Sequence, residues 1–295
     1  MQFRKYQALG NDFIVVHHNT PGWPGVEVAV AQGVAPKLCD RHFGIGGDGI
    51  LVVEPSTQAD ARMVILNADG SRPEMCGNGL RCVVLELGRC RGTTDGTFTV
   101  ETDAGVMRCS LTQGVEVSVA MGQARLDAEG ARVTPELWPS TPLTPLTLPG
   151  TPWKPLPASM GNPHAVLRVE DPKADLGELA RLEGPALSTH PAFAEGVNVE
   201  WVRVLPGGLE VAVHERGVGP TLACGTGACA ALAVAHRLGW VDASEPLPVA
   251  LPGGTLRIAV ASEGASATHT GMVTMIGPAH EVFTGVTSLL GEAHA

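Results

Sequence analysis

Lysine occurs only at Lys5, Lys37, Lys154 and Lys173, and none of the four stands beside a phosphate-cradling glycine loop. That scarcity excludes a Walker-type nucleotide loop and argues against pyridoxal phosphate, which needs a lysine for its Schiff base. Basic runs are missing too, and a formal net charge of −10 leaves no cation cluster to replace the counterions of a nucleic acid. No stretch approaches the ~18 unbroken apolar residues of a membrane-spanning helix. The opening Met1-Gln-Phe-Arg-Lys-Tyr6 lacks the apolar segment of a secretory signal, so a cytoplasmic setting is expected. The seven cysteines are odd in number and include no Cys-x-x-Cys pair and no Cys/His cluster at zinc-ligand spacing. Neither a disulfide framework nor a metal site is expected. Gly44-Ile-Gly-Gly-Asp-Gly49 lacks the order of a dinucleotide fingerprint and reads as a tight turn.

What the chain does have, it has twice. Cys-Gly-Asn-Gly at Cys76–Gly79 returns as Cys-Gly-Thr-Gly at Cys224–Gly227, about half the 295-residue chain away. A polar residue nine positions upstream of each cysteine, Asn67 or Glu215, closes a strand-like run with apolar alternation: Met63/Ile65 in one, Leu209/Val211/Val213 in the other. A helical pattern follows each cysteine, with Leu80, Val83, Val84 and Leu87 in the first and an Ala-rich stretch from Ala228 to Leu238 in the second. A third echo, Gly10-Asn11-Asp12-Phe13 and Gly161-Asn162-Pro163-His164, opens each half. The repetition implies a duplicated domain.

Each thiol is therefore expected at a strand–loop–helix junction, on the N-terminal end of a helix. Unpaired amides and the positive end of the macrodipole favour a thiolate there. A cysteine of pKa ~8.5 can fall to roughly 3.5–7.5 in such positions. Inverting a carbon centre requires a proton to leave one face and another to arrive on the opposite face. Two thiols can do both, one as thiolate and one as thiol, with roles exchanged in the reverse direction.

The expected fold class is α+β, with two pseudo-symmetric homologous lobes, each a mostly antiparallel sheet or barrel around a central helix, and an active site in the interlobe cleft. The lobes are placed at residues 1–125 and 126–278, with residues 279–295 returning to the first. In the first lobe, strands are expected near Phe3–Ala8, Asp12–Val16, Ile50–Glu54, Arg62–Asn67, Thr97–Thr102, Val106–Leu111 and Val115–Ala120, with a helix from about Gly25 to Arg41. Strands near His164–Val169, Val197–Val204, Leu209–Glu215, Thr255–Ala261 and Met272–Ile276 belong to the second. Proline and threonine dominate residues 135–157, which read as an extended connector.

Taken together, Gly10-Asn-Asp-Phe13, Asp40-Arg-His42, Asn67-Ala-Asp-Gly-Ser71, Cys76-Gly-Asn-Gly79, Gly161-Asn-Pro-His164, Val197-Asn-Val199, Glu215-Arg-Gly217 and Ala223-Cys-Gly-Thr-Gly-Ala-Cys229 make the chain closely resemble the diaminopimelate epimerases. These are cofactor-independent amino-acid racemases of lysine biosynthesis. The resemblance implies no cofactor, a small amino-acid substrate and a homodimer. It casts Cys76 and Cys224 as the acid/base pair and Asn11 as a substrate contact. Asn67, Asn162, Asn198 and Arg216 match groups holding the non-reacting end of the substrate, and Glu215 matches the carboxylate that meets its distal ammonium. Gly77, Asn78, Gly225 and Thr226 match donors around the reacting carboxylate, and His164 a histidine that influences the thiols.

An arginine fork suits a distal carboxylate, and Glu215 beside Arg216 offers both charges of a second amino-acid head. A related racemase of proline or hydroxyproline, with little use for that pair, is the alternative reading. Three positions depart from the family pattern: Gly49 where some members carry glutamine, His214 for a usual tyrosine, and Gly219-Pro-Thr221. Cys39, Cys82, Cys90, Cys109 and Cys229 read as small packing residues.

Overall fold

The computed structural model describes residues 1–139 and 141–290; Ser140 of the connector and residues 291–295 of the expected returning tail lie outside the described residues. The chain forms two compact units, Met1–Val119 with Gly277–Ala295 and Ala120–Ile276.

Unit 1 opens with β1 (Gln2–Ala8) and β2 (Asn11–His17), an antiparallel hairpin. Its two-residue turn, Leu9 (φ 53) and Gly10 (φ 82), has the positive φ at both positions that matches strand twist. The unit continues through α1 (Val26–Ala31), α2 (Val34–Cys39), β3 (Gly49–Glu54), β4 (Ala61–Asn67), α3 (Gly77–Arg91), β5 (Gly96–Thr102), β6 (Gly105–Thr112) and the start of β7 (Glu116–Arg125). The strands lie in the order β7-β6-β5-β4-β3-β2-β1, and β16 (His280–Val286) pairs antiparallel with β1. α3 packs against β1 to β6 and β16, so the strands surround it. The other face of the sheet carries α1 and α2 over a core that includes Ile14, Val16, Ile50, Val52, Val64 and Leu66.

The single helix expected from Gly25 to Arg41 is thus two short ones. Gly33, at φ 59, adopts a left-handed conformation that no right-handed helix continues through.

Unit 2 repeats the plan. It contains β8 (Leu156–Ser159), β9 (Pro163–Arg168), α4 (Leu176–Leu182), α5 (Gly184–Ser188), β10 (Asn198–Leu205), β11 (Gly208–Glu215), a short β12 (Gly219–Thr221), α6 (Gly225–Arg237), β13 (Leu247–Leu251), β14 (Gly254–Val260) and most of β15 (His269–Pro278). The order β15-β14-β13-β11-β10-β9-β8 runs on to residues 120–125 of β7, and β7 pairs with β15, closing a ring. α6 packs against β8 to β11, β13 and β14. Strand directions correspond step by step. β2/β3 and β4/β5 are parallel in unit 1, as are β9/β10 and β11/β13 in unit 2, and the intervening pairs are antiparallel.

An outer core around Leu167, Val199 and Trp201 packs against α4 and α5, and the proline-rich segment contributes Leu146 and Leu148 to it. The fold is therefore a duplicated α+β barrel, each copy with a helix inside and short helices outside. Because both strand faces meet a core, β3 and β11 are buried almost throughout rather than at alternate residues.

Candidate active site

Each repeated cysteine occupies the N-cap of the enclosed helix of its unit. Cys76 is extended (φ −141, ψ 115) and its Sγ accepts from Gly79 N at 3.4 Å; Cys224 (φ −112, ψ 108) accepts from Gly227 N at 3.3 Å. The sulfur does what a Ser or Asp oxygen does at most helix starts, satisfying an amide that has no partner within the helix. This explains the second glycine of the motif. A Cβ at Gly227 would lie 2.8 Å from Glu200 Oε1 and 3.2 Å from Cys224 Sγ, and one at Gly79 would lie 2.8 Å from Leu51 Cδ2.

In unit 1 the structure brings Asn11 and Asn78 together. Asn78 Nδ2 donates to Asn11 Oδ1 at 3.1 Å, and Asn11 Nδ2 donates to Asp48 Oδ2 at 2.6 Å. Arg81, fully buried on α3, donates to Asn78 Oδ1 at 3.0 Å and so fixes that amide. Arg41 bridges Asp12 and Asp48, at 2.6 and 2.8 Å, and Lys5 reaches Asp12 at 2.7 Å. Burial pushes the Asp12 carboxyl up, but hydrogen bonds from Arg41 and Lys5 outweigh it and hold the pKa at about 2. Asn67, opposite Gly49 on β3, donates instead to Ser71 at 2.9 Å. Gly77 and Asn78 form the first turn of α3 and are buried.

In unit 2, Asn162, His164 and Thr226 form one network with Cys224. His164 Nδ1 lies 2.6 Å from Glu200 Oε1 and its Nε2 2.9 Å from Asn162 Oδ1. Asn162 Nδ2 donates to Thr226 Oγ1 at 3.3 Å, and that hydroxyl is 3.5 Å from Cys224 Sγ. Asn198 and Arg216 form a second group, with Arg216 N donating to Asn198 Oδ1 at 2.9 Å and the guanidinium held by Glu195 O at 2.9 Å. Glu215 ends β11 with its carboxylate on the Thr221 hydroxyl at 2.6 Å and in contact with Cys224. Gly225 and Thr226 open α6.

The thiolate expected at both helix starts does not describe Cys224. Burial, then the nearby Glu215 and Glu200 carboxylates, push its thiol well above the usual range, against the opposing pull of Thr226 and the Gly227 amide. Glu215 is itself raised, first by burial. Away from the motifs, burial pushes Cys39, Cys82 and Cys109 up to about 12, as befits inert packing residues.

Sequence reasoning missed Arg81, Asp48, Thr221 and Glu200. The signal for two of them is a charge inside an apolar stretch: Arg81 between Leu80 and Cys82, Glu200 between Val199 and Trp201. Among the described residues, His17, Glu86 and Cys90 also bring possible metal-ligand atoms within 4.8 Å. Both Glu86 oxygens are already held, by Tyr6 at 2.6 Å, Arg89 at 2.6 and 2.8 Å and His17 at 2.7 Å, which makes the group a charge cluster rather than an open cation site. No helix among the described residues is long and apolar enough to cross a membrane.

The sequence profile of diaminopimelate epimerase matches residues 3–126 and 157–280. The chain is 42% identical over 296 residues to the diaminopimelate epimerase of a Cyanothece species, covering 97% of this chain and 99% of that one. It is 41% identical over 291 residues to that of Desulfitobacterium hafniense, with 97% and 98% covered. Among solved structures, a probable proline racemase from Agrobacterium radiobacter superposes with a TM-score of 0.69 at 18% identity, covering 99% of this chain and 96% of that one. A hydroxyproline epimerase from Agrobacterium vitis gives 0.69 at 17%, covering 97% and 90%. At such identities the likeness is one of fold. The profile match in both halves and the near-complete coverage at about 40% identity place this chain in the diaminopimelate epimerase family.

Proposed function

We propose that the protein interconverts LL- and meso-2,6-diaminopimelate by two-base proton transfer, with Cys76 and Cys224 as the acid/base pair. The observation that carries this reading is the identical placement of the two thiols, each the N-cap of the enclosed helix in its own unit. Family membership supplies the substrate class. One thiolate removes the α-proton while the other thiol delivers a proton to the opposite face. The raised pKa of Cys224, caused by burial and two carboxylates, suits it to the donor role in the resting enzyme.

The remaining groups divide by chemistry. Helix-start amides at Gly77, Asn78, Gly225 and Thr226 are the type of donor that stabilises a carboxylate as charge spreads into it. Asn11 adds a contact to the reacting end. Asn67, Asn162, Asn198 and Arg216 take the distal carboxylate, and Glu215 takes the distal ammonium. That neutralises a carboxylate which burial otherwise disfavours. His164 acts on Cys224 through Asn162 and Thr226. The pair Glu215 and Arg216 favours a substrate with two amino-acid heads over proline or hydroxyproline.

We place the enzyme in the cytoplasm, where thiols stay reduced, and as a homodimer. The dimer reading is supported by β16, whose Val282 (55%), Phe283 (46%) and Val286 (81%) leave an apolar strand exposed.

The deciding experiment follows exchange of the α-hydrogen of LL-diaminopimelate in D2O under reducing conditions. Exchange with inversion is expected, and it is lost in Cys76→Ala and in Cys224→Ala. Absence of exchange with the unmodified enzyme overturns the assignment.

A further inference from the structure

Glu200 has no role in the reading above, yet the polar network of unit 2 ends on it. The side chain is wholly buried near the start of β10, and Oε2 has no hydrogen-bond partner among the described residues. A buried carboxylate oxygen without a partner is costly, and its retention calls for an account. The titratable groups facing it are His164 from β9, Glu215 from β11 and Cys224 from the start of α6.

Four contacts join Glu200 to the sulfur, in the order Glu200 Oε1, His164 Nδ1 and Nε2, Asn162 Oδ1 and Nδ2, Thr226 Oγ1, Cys224 Sγ. Each link has a direction. Asn162 can donate to Thr226 from Nδ2 only if its Oδ1 faces a donor, so His164 Nε2 must carry hydrogen. Two proton placements satisfy this, carboxylate with imidazolium or carboxylic acid with neutral imidazole, and both hold one proton shared between Glu200 and His164. Thr226, its oxygen already accepting from Asn162, then has its hydrogen free for Sγ. Without the shared proton, Nδ1–H points at Glu200 and Nε2 becomes an acceptor. The Asn162 amide must then turn, and the Thr226 hydrogen follows its oxygen instead of the sulfur.

We propose that Glu200 is a positioning residue for Cys224: the proton it shares with His164 orients the Asn162 amide so that the Thr226 hydroxyl donates to Sγ. The effect is to give the thiolate a second donor beside the Gly227 amide, at the moment after Cys224 has delivered its proton. No covalent bond changes in the relay beyond the placement of that one proton. The inference rests on Cys224 being an acid/base group of the proposed reaction.

The test uses two readouts that need no substrate, so it stands or falls separately from the epimerase assay. The first is nitrogen-15 NMR of histidine-labelled enzyme at neutral pH, with His164 assigned by its loss in His164→Asn. A protonated Nε2 is expected, and an unprotonated Nε2 overturns the proposal. The second is iodoacetamide alkylation at Cys224 across a pH series, resolved by peptide mass spectrometry. Thr226→Val should slow alkylation about 2- to 10-fold, the worth of one hydrogen bond, and Thr226→Ser should restore it. In a Glu200→Leu background the Thr226→Val effect should shrink below about twofold; an equal effect in both backgrounds overturns the relay. If Glu200→Leu does not fold, the NMR result and the Thr226 pair with Glu200 intact still decide.

Discussion

Glu215 and Cys224 sit against each other, the carboxylate half-buried on the Thr221 hydroxyl and the thiol raised first by its own burial and then by the carboxylate's charge. Two negative charges here oppose one another, so the charge of Glu215 disfavours a thiolate at Cys224, and in the proposed reaction an ammonium meeting Glu215 would offset that effect. Glu215→Gln should therefore accelerate alkylation of Cys224 at any pH below its titration while lowering kcat/KM for diaminopimelate by roughly 30-fold or more, the cost of removing one partner of a buried charge pair. The two effects run in opposite directions, and measuring both on one preparation checks the relationship.

The second glycine of each motif is not equally replaceable. Gly79→Ala pushes on the tip of Leu51, a flexible side chain, whereas Gly227→Ala meets the Glu200 carboxylate and the Cys224 sulfur. Urea unfolding should place Gly227→Ala about 1–3 kcal/mol below wild type, with Gly79→Ala the milder of the two.

Gly49 stands where some relatives carry glutamine, but a Cβ here would come 2.7 Å from the backbone oxygen of Leu66. Backbone cannot swing aside as a side chain does. Gly49→Gln is expected to lower the melting temperature and not to raise activity, as a thermal scan and an initial-rate assay would show.

Acid should loosen unit 1 through Asp12. Its folded pKa of about 2 lies below the ordinary 3.8, so its contribution is complete above about pH 4 and is lost as pH falls through about 2. Asp12→Asn should cost about 1 kcal/mol at neutral pH after allowance for solvent screening. It should also flatten the fall in stability between about pH 4 and 2, measured by urea midpoints at several pH values.

Phe283→Glu on the exposed β16 places a charge on an apolar strand. Light scattering should report a monomer for this variant and a dimer for the parent, with secondary structure unchanged by circular dichroism.

The fold was legible where a pattern repeats and obscure where the environment overrides it. α3 and α6 follow from the spacing behind each cysteine, and β1 to β6 from their apolar runs. β13 carries Pro248, which argues against a strand on sequence grounds even though Val249 and Leu251 are buried, and β16 is exposed along nearly its whole length, so it shows no buried-face signature. Gly33, in the left-handed conformation, splits a helix that the apolar pattern around it predicts as one. The same logic separates the site residues. Cys76 and Cys224 declare themselves by repetition, and the asparagines follow through the motifs around them. Glu200 and Arg81 are visible only once their neighbours are known, because a single charge in a strand or helix ordinarily faces water, and here both point into the barrel with partners waiting. Helix position alone suggested a thiolate at Cys224, since nothing in the sequence gives the depth of burial or the distance to two carboxylates.

A sulfur that caps a helix would have a second duty besides the proposed proton transfer. Any reagent that consumes Cys76 or Cys224 also removes the acceptor that caps the enclosed helix of its unit, so in the proposed mechanism loss of activity and loosening of that first turn would coincide. Protein oxidised or alkylated at either sulfur is then expected to be cut by proteases ahead of intact protein.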